Sequence, residues 1–237
     1  MNMRNIIRSN RAYFEDFITR STYHSNAIEG STLSYAETYA IIFNDNSFKV
    51  SAQPREIYEA INHKYALSYV LEHLDEELTQ SFIVDIAVII NKNISEISGM
   101  RTTQVFIKGA EHIPPAPNML PQLMMYFVHN YNHTVYSNIF EKIAANHIEF
   151  ERMHPFCDGN GRTGRLLINY ELLKNNCAPL VVPCEQRTKY FELISKGNIT
   201  GLAEFFKELS ETEYERIQTY LQAAEQSNDN SDEHTEL

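Results

Sequence analysis

Apolar residues recur three or four positions apart along most of the chain, as they do on one face of an α-helix. Phe14 is followed at this spacing by Phe17 and Ile18 near the N-terminus. Glycine and proline, with 8 residues of each, interrupt it rarely. The chain is therefore predicted to be all-α, with helices over Asn5–Arg20, Tyr35–Phe43, Arg55–Leu74, Leu78–Ser95, Pro121–Tyr131, Asn138–Phe150, Gly164–Lys174, Lys189–Ser195 and Leu202–Ala223.

One segment, residues 101–117, departs from the helical pattern. Residues 105–107 (VFI) favour a β-strand, and residues 108–111 (KGAE) are typical of a turn. The adjacent Pro114 and Pro115 exclude a helix after the turn and require an extended chain. The segment is therefore predicted to form a small β-hairpin that projects from a helical bundle.

Composition and charge narrow the classes of function. The chain has 237 residues, of which 43 % are hydrophobic, enough for one sizeable domain. Its 20 Lys and Arg against 31 Asp and Glu give a formal net charge of -11, which argues against binding nucleic acid or an anionic membrane. No apolar run reaches the ~18 residues of a membrane span, and no signal peptide is recognisable. A cytoplasmic protein is expected, with a disordered acidic tail over residues 226–237.

The cysteines do not point to a metal site or to disulfides. Cys157, Cys177 and Cys184 are an odd number and contain no CxxC pair. In the absence of a secretory signal they are interpreted as reduced thiols, with Cys157 as a small buried side chain. A zinc site is therefore not expected.

Residues 154–165 read HPFCDGNGRTGR and join the end of one predicted helix to the start of the next. Pro155 prevents the preceding helix from continuing. Gly159 and Gly161 permit positive φ, so that successive N–H groups face one point. The result is an anion-binding nest ahead of a helix N-terminus.

The side chains around this nest suit phosphate chemistry. Arg162 and Arg165 offer guanidinium forks, and Asp158 offers a hard oxygen ligand for Mg²⁺. His154 is the one group in the segment that accepts a proton near neutral pH. A site that combines a base, a divalent cation and a phosphate-binding loop is typical of enzymes that transfer a nucleotidyl or phosphoryl group to a hydroxyl. The chain has neither GxxxxGK[ST] nor a strand leading into GxGxxG, which excludes P-loop and Rossmann proteins.

The segment matches HxFx[DE]GNGRxxR at all eight fixed positions and resembles the signature motif of the Fic (Fido) family of protein adenylyltransferases. The resemblance implies a helical fold with a β-hairpin flap, and transfer of AMP from ATP to a Ser, Thr or Tyr hydroxyl of a target protein. It implies His154 as the general base and Asp158 as the ligand of Mg²⁺, with Mn²⁺ as the alternative ion. Asn160 is expected near the α-phosphate, and the two arginines at the outer phosphates. The implied ATP-binding residues are Asp158, Gly159, Asn160, Gly161, Arg162, Thr163, Gly164, Arg165, Tyr190, Phe191 and Asn198.

The resemblance also organises the chain. It implies a Fic domain over 21–210, whereas the apolar pattern and composition predict an N-terminal helix over 1–20, a helical extension over 211–225 and the acidic tail over 226–237. Within the domain, the expected functional segments are an inhibitory helix over 21–30, the flap over 101–117 and the catalytic loop and helix over 154–174. The flap residues expected to dock the target are Ile107, Lys108, Gly109, Ala110, Glu111 and His112.

Residues 25–30, SNAIEG, fit [ST]xxxE[GN] and resemble the inhibitory motif of Fic proteins, with Ser25 and Glu29 as its key residues. Without the family, the same residues describe a helix that ends at Gly30 with an exposed Glu29. In the inhibitory interpretation, the Glu29 carboxylate pairs with Arg165 and occupies the arginine that would hold the γ-phosphate. Such a device suits a nucleoside triphosphate, so ATP rather than CDP-choline is the expected donor.

Three other functions stay open at this stage. The first is removal of AMP from a modified target, with Glu29 orienting a water molecule. The second is a phosphotransferase of the Doc toxin type, and the third is a non-enzymatic interaction module with an inactive site. Dimerisation is common in the family, so a homodimer is a further expectation, as is self-modification. A DNA-binding winged helix is not expected, because the residues after Leu209 are few and acidic.

Overall fold

The computed structural model describes residues 3–45, 49–107 and 112–232, with side chains described as far as residue 226. These residues form ten α-helices and no β-strand, which confirms the all-α prediction for the described part of the chain. None of the ten helices has the length and apolar composition of a membrane span. The helices are α1 (Met3–Ser9), α2 (Arg11–Glu29), α3 (Tyr35–Phe43), α4 (Pro54–Glu72), α5 (Gln80–Asn91), α6 (Leu120–His133), α7 (Ile139–Met153), α8 (Asn160–Lys174), α9 (Arg187–Ser195) and α10 (Ile199–Asp232).

Helix α8 lies at the centre of the bundle. Every residue from 160 to 173 except Gly161 is buried, as expected for a helix covered on all sides. Leu166 and Tyr170 belong to a hydrophobic cluster built with α1, α2, α4, α5 and α6. Ile168 and Leu172 belong to a second cluster, built with α7, α9 and α10. The N-terminus of α8, where the motif lies, is therefore fixed by both halves of the core.

The predicted division between an N-terminal helix over 1–20 and an inhibitory helix over 21–30 is wrong. Helix α2 passes through that boundary without a break, and the break lies instead at Asn10, between α1 and α2. The Asn10 side chain caps α2 by accepting the Tyr13 N–H at 3.0 Å. No glycine or proline follows until Gly30, whose φ of 105° ends the helix.

A buried charged network fastens the middle of α2 to α10. The Arg20 guanidinium donates to both oxygens of Glu213, at 2.7 and 2.8 Å, and the Tyr13 hydroxyl donates to the same carboxylate at 2.8 Å. Arg20 Nε also donates to Asp16 at 2.8 Å. Because each buried charge meets an opposite charge with good geometry, the network offsets much of its desolvation cost.

Most helix predictions are confirmed to within a few residues. Helix α3 has the predicted bounds, and its capping box is present: Ser34 Oγ accepts the Glu37 N–H at 3.2 Å, and the Glu37 carboxylate accepts the Ser34 N–H at 3.0 Å. Helix α8 begins at Asn160, four residues before the predicted start at Gly164. The nest is thus the first turn of a helix.

The predicted disordered tail over 226–237 is wrong over residues 226–232, where the backbone continues α10. The predicted extension over 211–225 is part of the same helix. No glycine or proline occurs between Leu202 and Asp232, so nothing in the backbone requires the helix to end earlier. Residues 233–237 lie outside the described residues.

The described parts of the predicted flap, residues 101–117, contain no β-strand. The two arms still lie side by side, because Gln104 Nε2 donates to the Pro114 carbonyl at 2.9 Å and Arg101 Nη2 donates to the Pro115 carbonyl at 2.6 Å. The prolines have no N–H to donate to a β-ladder. Side chains rather than backbone ladder bonds therefore hold the arms together.

Candidate active site

The loop between α7 and α8 arranges the motif around the N-terminus of α8. His154 ends α7 in the left-handed conformation, with φ 47°, and its N–H donates to Phe150 at 3.0 Å. Gly159, with φ 78°, is the N-cap residue that precedes α8. Phe156 is fully buried against Phe150 and anchors the loop. Cys157 is exposed, contrary to the prediction, because it lies on the outer side of the turn that buries its neighbour Phe156.

The first turn of α8 provides the anion-binding nest. The N–H groups of Asn160, Gly161 and Arg162 have no acceptor within the helix, and the helix dipole adds positive charge there. The Asn160 side chain faces the loop: its Nδ2 donates to the Phe156 carbonyl at 2.8 Å, and its Oδ1 accepts the Phe156 N–H at 2.9 Å. Asn160 thus shapes the loop with its side chain and offers only its backbone N–H to the nest.

Replacing Gly159 by alanine is expected to lower the free energy of unfolding by about 1–3 kcal/mol. The new Cβ would lie 2.8 Å from both Asn91 Nδ2 and Ile90 Cγ2, at a φ that alanine adopts poorly. Gly99→Ala is the matched control, because no atom lies within 4 Å of its Cβ position and its φ is not positive. Urea unfolding compares the two variants, and equal losses of stability would contradict the assignment.

Both oxygens of Asp158 are engaged by cations. Oδ1 accepts the Gly159 N–H at 2.6 Å and lies 3.0 Å from Arg162 Nη2, while Oδ2 accepts Arg55 Nη2 at 2.5 Å. Burial by itself raises the pKa of Asp158, but Arg162 and Arg55 outweigh it and hold the pKa below its ordinary value. The carboxylate is thus ionised and ready to serve as an oxygen ligand.

Arg162 is buried beneath Asp158, with only 2 % of its side chain exposed. Its Nη1 lies 3.2 Å from Glu59 Oε1, so that its guanidinium faces two carboxylates. In this conformation Arg162 pairs with the two carboxylates, and its buried guanidinium N–H groups are not accessible to a phosphate.

Sequence reasoning missed Arg55 and Glu59. Both are far from the motif in the sequence, and their i,i+4 spacing is typical of a solvated helix face.

Arg165 lies beside Gly161 of the nest, where residues of α2 bind its guanidinium. Its Nε donates to Ser25 Oγ at 3.0 Å, and its Nη2 donates to the Ser25 carbonyl at 2.9 Å and to Glu29 Oε1 at 2.8 Å. Burial by itself lowers the pKa of Arg165, but Glu29, Tyr190 and Glu151 together outweigh it and raise the pKa above its ordinary value. The predicted meeting of Ser25, Glu29 and Arg165 is present in the structure.

The Glu29 carboxylate also lies against the nest itself. A Cβ on Gly161 would collide with Glu29 Oε1 and would lie 3.0 Å from Arg165 Nη1. Arg165 Nη1 is buried without a hydrogen-bond partner among the described residues. The carboxylate therefore lies between Gly161 of the nest and the Arg165 guanidinium, and 35 % of its side chain is exposed.

His154 is half-buried beside the nest. Its Nδ1 lies 3.3 Å from the Glu151 carbonyl, which only accepts, so Nδ1 carries the proton and Nε2 keeps its lone pair. Burial lowers the pKa of His154 below its usual value, and the Glu151 carbonyl partly opposes this shift. The imidazole is thus a neutral base at pH 7.

The predicted nucleoside residues have mixed positions. Tyr190 is fully buried, and its hydroxyl lies 2.6 Å from His147 Nε2, in the core between α7 and α9. Phe191 is half-buried, with the Arg187 guanidinium 4.9 Å above its ring. Asn198 is exposed at the start of α10, where its Oδ1 accepts the Gly201 N–H at 3.0 Å. Of the three, Phe191 and Asn198 are reachable from solvent in this conformation.

Two further predicted ATP-binding residues, Thr163 and Gly164, lie in α8 and are buried. A Cβ on Gly164 would lie 2.9 Å from His147 Cε1 and 3.0 Å from Glu151 Oε1. This glycine therefore permits the close approach of α7 and α8 below the site. Neither residue faces the open side of the nest.

Arg101 ties the flap segment to the catalytic loop. Its backbone N–H donates to the Pro155 carbonyl at 2.8 Å, and its Nε donates to the His154 carbonyl at 2.8 Å. In the second arm, exposed His112 Nε2 donates to the Arg152 carbonyl at 2.8 Å. Of the other predicted docking residues, Ile107 is half-buried, whereas four lie outside the described residues: Lys108, Gly109, Ala110 and Glu111.

Comparison with known proteins identifies the domain. The sequence profile of the Fic/DOC family matches residues 77–172. The chain carries a Fic/DOC family domain. The matched range contains the flap segment, the catalytic loop and nearly all of α8. It excludes α2, with Ser25 and Glu29, and α9, with Tyr190.

Curated relatives extend the similarity beyond the Fic domain. The chain is 29 % identical over 219 residues to a protein named protein adenylyltransferase Fic from Drosophila virilis, and the alignment covers 90 % of this chain and 43 % of that protein. The relative of the same name from Drosophila grimshawi is 30 % identical over 220 residues, covering 90 % and 44 %. The chain thus spans less than half the length of these relatives.

Solved structures share the fold over nearly the whole chain. A Fic-domain-containing signaling protein from Bacteroides thetaiotaomicron has a TM-score of 0.75 at 21 % identity, covering 95 % of this chain and 98 % of the other. Fic-1 from C. elegans (residues 134–508) has a TM-score of 0.73 at 27 % identity, covering 94 % and 67 %. The arrangement of helices around α8 is therefore a Fic fold.

Proposed function

We propose that this chain is a protein adenylyltransferase, which transfers AMP from ATP to a Ser, Thr or Tyr hydroxyl of a target protein and of itself. The observation that carries the proposal is the convergence of a neutral base (His154), an ionised carboxylate (Asp158) and a helix N-terminus at one point of the bundle. The name shared by the Drosophila relatives supports the same reaction.

In the proposed reaction, His154 accepts the proton of the target hydroxyl on Nε2, because Nδ1 is committed to the Glu151 carbonyl. The hydroxyl oxygen then forms a bond to the α-phosphorus, and the bond to pyrophosphate breaks. The N–H groups at the start of α8 stabilise the charge that develops on the phosphate oxygens. The products are AMP-modified protein and pyrophosphate.

The residues present fit a magnesium ion. Asp158 is an ionised oxygen ligand at the rim of the nest, and one of its partners, Arg55, has 55 % of its side chain exposed and is free to move away. Asp158 would hold the ion together with the phosphates. When bound, the ion neutralises phosphate charge and orients the leaving group.

Glu29 is an inhibitory residue, or brake, of the proposed enzyme. It takes Arg165 Nη2 and lies against Gly161, so that a triphosphate has to displace it to reach both groups. With Glu29 in place, a nucleotide binds only with its α-phosphate out of line, and a misplacement of about 1 Å costs around 100-fold in rate. A brake at this point acts on a nucleoside triphosphate, which supports ATP as the donor.

The flap segment is the proposed docking place for the target. An extended peptide beside residues 105–107 would use backbone hydrogen bonds and little sequence readout. Because Arg101 joins this segment to the His154 carbonyl, the peptide would be held at a fixed height above the base.

The deciding experiment supplies ATP labelled on either the α- or the γ-phosphate, with GTP, UTP and CDP-choline as competing donors. Label from the α-position is expected on protein, and none from the γ-position. Transfer of the γ-label would favour the phosphotransferase, and preference for CDP-choline would overturn ATP as the donor. Release of AMP from pre-modified protein, without net transfer, would favour hydrolytic removal of AMP, in which water replaces the protein hydroxyl on the phosphorus.

Replacing Arg55 by alanine is expected to tighten Mn²⁺ binding about 2- to 5-fold, the effect of removing one competing ion pair. Arg55 Nη2 and the metal ion compete for Asp158 Oδ2. Electron paramagnetic resonance during a Mn²⁺ titration with ADP present measures the affinity. Arg11→Ala, which breaks a surface pair with Glu15, is the control. Weaker binding in Arg55→Ala would instead make Arg55 a nucleotide ligand.

A further inference from the structure

A second cluster of metal-ligating groups lies where α2 meets the 3₁₀ turn at Cys184–Gln186. His24 on α2, and Cys184 and Glu185 in the turn, each direct one donor atom into a common space, and the three atoms lie within 4.8 Å of one another. In the described part of the chain, no other group of three such residues meets this condition. The cluster is separate from the Asp158 site.

The imidazole of His24 is already prepared as a ligand. Its Nδ1 accepts the Cys184 N–H at 3.2 Å, so this nitrogen carries a lone pair, and it lies 3.9 Å from Glu185 Oε2. An ion between the three groups would replace the long hydrogen bond from Cys184.

We propose that His24, Cys184 and Glu185 bind a divalent transition metal ion of the Zn²⁺ class and thereby fasten α2 to the turn that precedes α9. Imidazole nitrogen, thiolate sulfur and carboxylate oxygen are the donors that Zn²⁺ takes, and three protein ligands leave a fourth position for water. The thiol loses its proton to solvent when the ion binds. Mg²⁺ and Ca²⁺ prefer all-oxygen sites and do not suit this set.

Because the cluster lies next to the α2 residues that bind Arg165, an ion bound there would also affect the candidate active site. His24 is adjacent to Ser25, which holds Arg165 through Oγ and its carbonyl. One turn later, Arg187 Nε donates to the Ile28 carbonyl at 2.7 Å and already joins α2 to α9. A metal bond across the same junction would stiffen the last two turns of α2. This effect on the brake rests on the proposed function, whereas metal binding itself does not.

The binding test titrates the full chain with Zn²⁺ in competition with a chromophoric chelator. One ion per chain is expected, with at least a ten-fold loss of affinity in both Cys184→Ser and His24→Ala. Cys177→Ser is the matched control, since Cys177 is also partly buried but lies outside the cluster, and it should keep the original affinity. Substitution of Co²⁺ should give a thiolate charge-transfer band that disappears in Cys184→Ser.

A second readout follows hydrogen exchange of residues 21–29. Zn²⁺ should slow exchange there in the unmodified chain and leave it unchanged in Cys184→Ser. Unchanged Zn²⁺ affinity in Cys184→Ser and His24→Ala would overturn the site, as would a loss of affinity confined to Cys157→Ser, which would place the ion on the catalytic loop. If Zn²⁺ bound without slowing hydrogen exchange of residues 21–29, the proposal that the ion joins α2 to the turn would be overturned. None of these outcomes depends on AMP transfer, which the labelled-ATP assay tests separately.

Discussion

Replacing Glu29 by glycine is expected to raise the rate of AMP transfer by about 100-fold, the scale set by a misplaced reacting group. The change frees Arg165 Nη2, which lies 2.8 Å from the carboxylate, and opens the space beside Gly161. The cost to stability should be small, because Glu29 is the last residue of α2 and is followed by a left-handed glycine. Incorporation of α-labelled AMP into protein measures the rate.

The chain offers a closely matched control in Glu72→Gly. Helices α2 and α4 both have 19 residues and both end in glutamate, but Glu72 is exposed and far from the nest. Equal rates in the two variants would contradict the brake. A third variant, Glu29→Gln, keeps the size of the side chain and removes its charge. It should fall between the original chain and Glu29→Gly if charge pairing with Arg165 is the main contact.

Replacing His154 by asparagine is expected to lower transfer by about 10²–10⁴-fold, the usual contribution of a general base. Asparagine suits the test better than alanine because it tolerates the left-handed φ of 47° at this position. Nucleotide affinity, measured by calorimetry in the Glu29→Gly background, should stay within a few-fold. His133→Asn, an exposed histidine at the end of α6, is the control and should leave transfer unchanged.

The pH profile gives the same experiment a second readout. Burial lowers the pKa of His154, and the base acts in its neutral form. Transfer should therefore stay constant from neutral pH down to below the ordinary histidine value of 6.5, and then fall. His154→Asn should lose this acidic limb. If the transfer rate of His154→Asn still fell at acidic pH, a group other than His154 would be the base.

The catalytic loop could be predicted because the residues that determine its shape follow one another in the sequence. The order of glycine, proline and charged residues in 154–165 determines a loop that enters a helix, and the structure has that loop. The pairing of Glu29 with Arg165 was also anticipated, although only through a resemblance to a family motif. Nothing in the spacing of residues 25–30 by itself places that carboxylate beside α8.

The remaining features depend on which helices meet in space. Arg55 and Glu59 come from α4 and reach Asp158 and Arg162 across about 100 positions of sequence, so a local pattern cannot reveal them. The same holds for His24 and Cys184, which are 160 positions apart, so a search for CxxC pairs does not show that their donor atoms lie close together. The tail differs from its prediction for another reason, because its polar composition indicates disorder whereas residues 226–232 contain no glycine or proline that would end α10.

The continuity of α2 limits how the brake is released. A straight helix of 19 residues is a rod about 28 Å long, and the Arg20 pair with Glu213 pins it near its middle. A helix held in this way resists sliding along its axis. In the proposed enzyme, the carboxylate would therefore be retracted by rotation of the Glu29 side chain or by unwinding of the last turn ahead of Gly30. An activator that acts through this helix therefore needs to loosen only its final turn, at a far smaller energetic cost than moving the rod.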